Sequence, residues 1–127
     1  PMICANPDIR VMRGEAVELC AGALAKRYEE FDGEVRYHGK PHKGIYDSCF
    51  KLLGDPDPKR TLAVGDTLHT DIAGARQVGL DSAFVPGGIN AGDLGIRMGD
   101  LPEADQLAQL FAREGERPTH VIPAFRW

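Results

Sequence analysis

The sequence predicts an α/β fold with a largely parallel sheet. Short apolar runs typical of strands, such as Met2-Ile3-Cys4-Ala5, alternate along the 127 residues with stretches of helical periodicity. Glycine, proline, asparagine and aspartate separate these stretches, as expected of turns. Strands that alternate with helices favour parallel pairing, because a helix supplies the crossover that a parallel pair needs.

The first elements form one strand–helix–strand unit. Residues 2–5 predict a strand that ends at the turn residues Asn6-Pro7-Asp8, and residues 34–38 alternate in polarity and predict a second strand. Between them, residues 15–31 predict a helix, because apolar side chains recur at helical spacing. The side chains on that face are Val17, Cys20, Ala21, Leu24, Tyr28 and Phe31.

The remaining elements form a second unit, and we place the domain boundary between residues 38 and 39, giving domains 1–38 and 39–127. Helices are predicted over residues 43–53, 70–78 and 103–113, and strands over 61–64 and 81–85. The first of these helices directs Ile45, Cys49, Leu52 and Leu53 inward. The glycine-rich residues 87–99 predict a loop. The tail 120–125 predicts an edge strand or an extended arm, since Pro123 has no N–H to donate.

Composition excludes several classes of function. With 43% hydrophobic and 27% charged residues the chain resembles a soluble globular protein. Its net charge of -4 argues against nucleic-acid binding and against a polybasic membrane anchor. No apolar run is long enough to span a bilayer. Three widely spaced cysteines without a CxxC motif suit a reducing compartment, so we expect a cytoplasmic protein.

Two carboxylates stand where a buried strand ends. Asp66 follows Leu62-Ala63-Val64-Gly65, and Asp71 lies five residues later, where the next helix begins. Open α/β sheets bind ligands at this edge, and two carboxylates on one short loop suit Mg²⁺ rather than Zn²⁺. The alternative is purely structural, with Asp66 in a tight turn and Asp71 as a helix cap.

A lysine precedes the helix predicted over residues 43–53. In Gly39-Lys40-Pro41 the ammonium of Lys40 follows a strand and lies near the positive end of that helix, where it could neutralise a phosphate. The alternative is a solvated surface lysine, the most common environment of lysine.

In this order, the motifs resemble those of the haloacid-dehalogenase-like hydrolases. The pattern is Gly-Lys-Pro, a helix, a strand ending in Val64-Gly65-Asp66 with Asp71 after it, and then helix, Gly79-Leu80 and strand. Asn6-Pro7-Asp8 narrows the resemblance to class IIA, the group with an α/β cap that includes sugar-phosphate, nucleotide and p-nitrophenyl phosphatases. The implied fold is the carboxyl-terminal half of a Rossmannoid parallel sheet plus the last strand–helix–strand unit of the cap.

The resemblance also implies roles for individual residues. Lys40 would stabilise the phosphate and the nucleophile, Asp66 would bind Mg²⁺, and Asp71 would ligate or orient that site. Asn6 and Asp8 match a cap motif that faces the substrate, although an Asx turn is an equally good interpretation. The expected substrate is a small phosphorylated metabolite. His69 lies inside the predicted metal loop and could contact the substrate. The commoner alternative is an exposed loop histidine.

One part of the family pattern is missing. The family's phosphoryl-transfer chemistry needs an Asp-x-Asp after a buried strand near the amino terminus. Asp55-Pro56-Asp57 has the same residue types but lies in a predicted proline-rich turn. We therefore expect a carboxyl-terminal fragment that is inactive alone. We also expect it to depend on the missing half of the core or to self-associate, because a bared sheet edge tends to pair.

Two other functions remain open. A non-catalytic α/β module could bind Mg²⁺ or a partner through the same strand-end acids. A receiver-like phosphoacceptor domain ranks last, because its first strand should end in paired acids, which Met2-Ile3-Cys4-Ala5-Asn6 lacks.

Overall fold

The computed structural model describes residues 1–14 and 16–126. The chain divides into two compact units, Pro1–Asp55 and Pro56–Trp127. The boundary predicted between residues 38 and 39 lies inside the first unit and stays a prediction about domain organisation. In the part of the chain that the structure describes, no helix has the length and apolar character needed to cross a membrane.

The first unit contains two small sheets and two helices. Its strands are β1 (Met2–Cys4), β2 (Arg10–Arg13), β3 (Ala16–Leu19) and β4 (Val35–Tyr37), and its helices are α1 (Ala21–Glu29) and α2 (Lys43–Leu52). Strand β1 pairs in parallel with β4, and α1 supplies the crossover between them. Cys4 of β1 and Ala25 of α1 are fully buried and form the centre of this layer. The predicted strand–helix–strand unit is confirmed in outline.

The helix predicted over residues 15–31 is wrong in its first part. Strands β2 and β3 form an antiparallel hairpin in which Met12 lies opposite Val17, with Gly14 in the left-handed conformation at φ 63° beside the turn. Val17 is β-branched and therefore suits a strand, and its helical spacing from Cys20 is incidental. Cys20 is still extended, and α1 begins after it. Glu15, where the predicted helix begins, lies outside the described residues.

The apolar side of α2 differs from the prediction. No described residue of α2 is buried, and Leu52 and Leu53 are 87% and 71% exposed. Ile45 is 39% exposed and Cys49 is also exposed. The helical spacing of these residues is as predicted, but their inward orientation is wrong, because the described part of the chain leaves that side open to solvent.

The second unit is a three-stranded parallel sheet with helices. Its strands β5 (Leu62–Gly65), β6 (Asp81–Phe84) and β7 (His120–Val121) lie in the order β5-β6-β7. A 3-10 turn, Pro58–Arg60, precedes β5, and Asp57 caps its start by accepting the N–H of Lys59. A π-helical turn, Leu68–Ile72, continues as α3 (Ala73–Gln77), followed later by α4 (Ala91–Leu94) and α5 (Ala104–Glu114).

The core of the second unit lies between the sheet and these helices. Its buried side chains come from the π-helical turn, β6, α4 and α5, and they are Leu68, Ile72, Phe84, Leu94 and Leu110. Strand β7 is at the edge of the sheet, as Pro123 predicts. The α/β class with parallel sheets is therefore confirmed.

Candidate functional site

Asp66 lies at the carboxyl end of β5, where two loops meet. Because β5 and β6 are parallel with Gly65 opposite Phe84, the segments that follow them leave the sheet side by side. The carboxylate Oδ2 of Asp66 accepts the N–H of Ile89 at 3.0 Å, and its backbone carbonyl accepts the Nδ2 of Asn90 at 2.8 Å. The other carboxylate oxygen, Oδ1, has a long contact of 3.4 Å with Thr67 Oγ1. The segment after β6 therefore holds Asp66 in one orientation.

Asp71 organises the loop that carries Asp66. Its Oδ2 accepts the backbone N–H groups of Asp66 and Thr67, each at 3.1 Å, and the residue is 8% exposed. Gly65 is needed for this contact, because a Cβ there would stand 2.3 Å from Asp71 Cγ. The predicted pair of carboxylates is thus brought together, with Asp71 shaping the turn in which Asp66 is presented.

Sequence reasoning missed the residues of the second loop. A Cβ at Gly88 would lie 1.9 Å from Asp66 Oδ2, so only glycine lets this backbone approach the carboxylate. Ile89 and Asn90 follow it and supply the two contacts described above. The available signal was the glycine pair Gly87-Gly88, which lies a few residues after β6, the strand that is parallel to β5.

A cavity of about 310 Å³ opens beside Asp66. Its walls are largely apolar and are formed by Gly65, Asp66, Val85, Gly88, Met98, Ala124 and Phe125. In the described residues no group of three or more histidine, cysteine, aspartate or glutamate side chains forms a metal cluster. This donor set still fits Mg²⁺, which is commonly bound by one or two carboxylates, with waters and substrate phosphates completing its coordination.

His69 contacts α5. Its Nε2 lies 2.5 Å from Glu114 Oε2, and the imidazole is 64% exposed. The pKa of Glu114 is lowered, chiefly by a hydrogen bond from Arg113 and further by His69, although burial opposes the shift. His69 therefore helps attach the π-helical turn to α5, and its contact with substrate stays a prediction.

The other three predicted site residues meet in the first unit. Asn6 Oδ1 accepts the N–H of Asp8 at 3.2 Å, which is the geometry of an Asx turn. Asp8 Oδ2 lies 3.9 Å from the ammonium Nζ of Lys40, and Asp8 Oδ1 is buried without a hydrogen-bond partner among the described residues. Close packing holds this turn, since a Cβ at Gly22 would lie 2.0 Å from the carbonyl oxygen of Pro7. Substrate binding by Asn6 and Asp8 stays a prediction.

Comparison with known proteins decides the family. A family model described as HAD-hydrolase-like matches residues 37–126, a range that contains Lys40, Asp66 and Asp71. The chain belongs to the haloacid-dehalogenase-like hydrolases. The predicted family is therefore confirmed.

Solved structures and a curated relative agree with this assignment. A haloacid-dehalogenase-like hydrolase from Brucella suis 1330 is 36% identical with a TM-score of 0.73, and the match covers 98% of this chain and 44% of that one. A possible sugar phosphatase of the same superfamily from Cytophaga hutchinsonii is 27% identical with a TM-score of 0.72, covering 100% and 43%. Dihydroxyacetone phosphatase from Corynebacterium glutamicum (strain R) is 29% identical over 121 residues, 94% of this chain and 38% of that protein. The chain spans less than half the length of each of these three proteins.

Proposed function

We propose that this chain is the metal-binding and charge-stabilising part of a Mg²⁺-dependent phosphohydrolase that acts on phosphate monoesters. The observation that carries the proposal is the position of Asp66 at the carboxyl end of β5, held by Ile89 and by the loop that Asp71 organises. A carboxylate fixed at this edge, in a chain of this family, suits the binding of a divalent cation beside a phosphate.

The proposal gives each predicted residue a part. Asp66 would hold Mg²⁺, which when bound supplies positive charge that stabilises the transferring phosphoryl group. Asp71 keeps the Asp66 loop in its conformation through the two N–H groups that it accepts. Lys40 neutralises the phosphate and the nucleophile.

Asn6, Asp8 and His69 belong to the surroundings of the substrate in this proposal. The support for Asp8 is its contact with the lysine that would receive the phosphate. For Asn6 it is the Asx turn that orients Asp8. His69 has weaker support, because its observed partner is Glu114.

The nucleophile is proposed to come from outside these 127 residues. Asp55-Pro56-Asp57 matches the pattern Asp-x-Asp, but it precedes a 3-10 turn instead of ending a strand. An aspartate on a strand of the missing half of the core would attack phosphorus and form an aspartyl-phosphate, while the P–O bond to the alcohol breaks and the second aspartate of the Asp-x-Asp protonates the leaving oxygen. On this proposal the 127 residues alone do not turn over.

The proposed substrate is a small phosphorylated metabolite. The support comes from two relatives, a dihydroxyacetone phosphatase and a possible sugar phosphatase. Three free cysteines are compatible with the reducing cytoplasm as its compartment.

The test begins with the DNA upstream of the codon for Pro1. The proposal expects an open reading frame that encodes an apolar strand ending in Asp-x-Asp. The longest protein from that frame should release phosphate from a panel of sugar phosphates and p-nitrophenyl phosphate in Mg²⁺, and EDTA should abolish the release. A frame without Asp-x-Asp, or a purified protein inert toward the whole panel, would favour a binding module instead.

A further inference from the structure

Asn90 makes an unusual use of its side chain. It is the residue immediately before α4, a position at which asparagine normally accepts an N–H from its own helix. In this structure its side chain makes no such cap. Its Nδ2 instead donates to the backbone carbonyl of Asp66, 24 positions earlier in the chain, at 2.8 Å.

We propose that Asn90 is a positioning residue for Asp66, and that cation binding at Asp66 depends on its side-chain amide. The inference rests on the proposed function, since it presumes that Asp66 holds a divalent cation. It adds a residue that neither the Asp66–Asp71 spacing nor the family resemblance identified.

The physical argument concerns the peptide groups on both sides of Asp66. The N–H of Asp66 is bound by Asp71, and its carbonyl oxygen is bound by Asn90. Because the N–H and the carbonyl of Asp66 are both hydrogen-bonded, its backbone has little freedom to rotate. The direction of its Cα–Cβ bond is therefore set. The contact from Ile89 to Oδ2 then leaves Oδ1 as the less engaged oxygen of the carboxylate.

Loss of the amide should therefore weaken the site without dismantling the fold. In Asn90→Ala the Asp66 carbonyl turns toward water, and the carboxylate samples orientations that do not suit a cation. Removing the groups that orient metal ligands typically lowers metal affinity by about 10- to 100-fold. We expect at least a tenfold loss.

Gln106 provides a matched control. Its Nε2 also donates to a backbone carbonyl, that of Leu94 at 3.2 Å, and it holds the other end of α4. Gln106→Ala removes the same kind of hydrogen bond from the same unit without touching Asp66, together with the bond that Oε1 accepts from the N–H of Glu103 at the start of α5. Asn90→Ser serves as a second variant, because serine can cap α4 but is too short to reach Asp66.

The experiment measures Mn²⁺ binding by electron paramagnetic resonance to the longest protein from the reading frame that contains this chain, with urea unfolding in parallel. Expected are a loss of affinity of about tenfold or more in Asn90→Ala and Asn90→Ser, and less than about twofold in Gln106→Ala. Equal affinities in all three variants, with binding abolished by Asp66→Asn, would overturn the role of Asn90 and leave the proposed function intact. Binding unchanged in Asp66→Asn, or absent from that wild-type protein, would contradict both.

Discussion

The carboxylate of Asp71 accepts the backbone N–H of Asp66 at 3.1 Å, so one acid determines how the other is presented. The same oxygen also accepts the N–H of Thr67. Their spacing predicted both acids as Mg²⁺ ligands, and the family resemblance implied that Asp71 ligates or orients the site. The two acids differ in their surroundings. Oδ2 of Asp71 accepts the N–H groups of the loop, whereas Asp66 borders the cavity.

Asp71→Ala should destabilise the second unit. The substitution leaves the N–H groups of Asp66 and Thr67 without their acceptor in a partly buried turn, which costs about 1–3 kcal/mol of unfolding free energy. Urea denaturation followed by circular dichroism measures the change. Asp93→Ala, at an exposed aspartate paired with Arg113, is the control and should change stability by no more than about 0.5 kcal/mol. Equal effects of the two substitutions would refute the organising role of Asp71.

Gly88→Ala should impair both stability and Mg²⁺ binding. The new Cβ would stand 1.9 Å from Asp66 Oδ2, so the carboxylate or the loop has to move. Gly92→Ala is a close control, because Gly92 lies in α4 and a Cβ there meets nothing within 4 Å. That variant should be neutral or up to about 1 kcal/mol more stable. Calorimetric titration with Mg²⁺ compares the two variants. Normal Mg²⁺ binding by Gly88→Ala would contradict the close approach of the Gly88 backbone to the Asp66 carboxylate.

The ion pair between Arg76 and Glu116 should make stability depend on pH. Arg76 donates two hydrogen bonds of 2.8 Å to the carboxylate, and these bonds lower the pKa of Glu116 below its ordinary 4.5 despite partial burial. Because the folded state has the lower pKa, the pair stabilises the protein above pH 4.5, and this contribution is lost as the pH falls through the folded pKa.

Two variants test that dependence. In Glu116→Gln and in Arg76→Gln, the free energy of unfolding should fall at pH 7 and should vary less steeply below pH 4.5 than in the wild type. Urea unfolding across this range gives the slopes. Slopes in both variants as steep as the wild-type slope would show that Glu116 is not the titrating group.

Much of the fold could be predicted because it depends on local pattern. Leu62-Ala63-Val64 is a short apolar run followed by Gly65-Asp66, which identifies both a strand and the acid at its end. The predicted burial of that strand is wrong, since Leu62 is 49% exposed and the rest of β5 is half-buried. Val17 shows the limit of this approach, since a single apolar residue fits a helix face or a hairpin equally well. Only the pairing of Val17 with Met12 distinguishes the two.

The environment of Asp66 could not be predicted for a different reason. Ile89 and Asn90 reach it from 23 and 24 residues away, and these contacts depend on the register of β5 against β6. The partner of His69 is 45 residues away on α5. No local spacing in the sequence encodes such distances.

Asp8→Asn should strengthen the binding of inorganic phosphate by the full-length protein. The carboxylate of Asp8 lies 3.9 Å from the Lys40 ammonium, so it opposes an incoming anion at that lysine. The pair is partly exposed, so solvent screens it, and at about 1 kcal/mol its loss corresponds to about a fivefold change in the inhibition constant for phosphate.

Asp47→Asn is the matched control for that measurement. Asp47 pairs with Lys43 at 2.5 Å on the exposed side of α2, and its neutralisation should leave phosphate inhibition unchanged. Weaker phosphate inhibition in Asp8→Asn would indicate that Asp8 supports phosphate binding instead of opposing it.

The central claim is that Asp66 binds the Mg²⁺ used in phosphate-ester hydrolysis, and one comparison tests it directly. Mg²⁺-dependent phosphate release should be measured for the full-length protein and for its Asp66→Asn variant at matched folded concentration. The account predicts that the substitution abolishes Mg²⁺-dependent release while the protein stays folded. Undiminished turnover in Asp66→Asn would contradict it and remove Asp66 from the site.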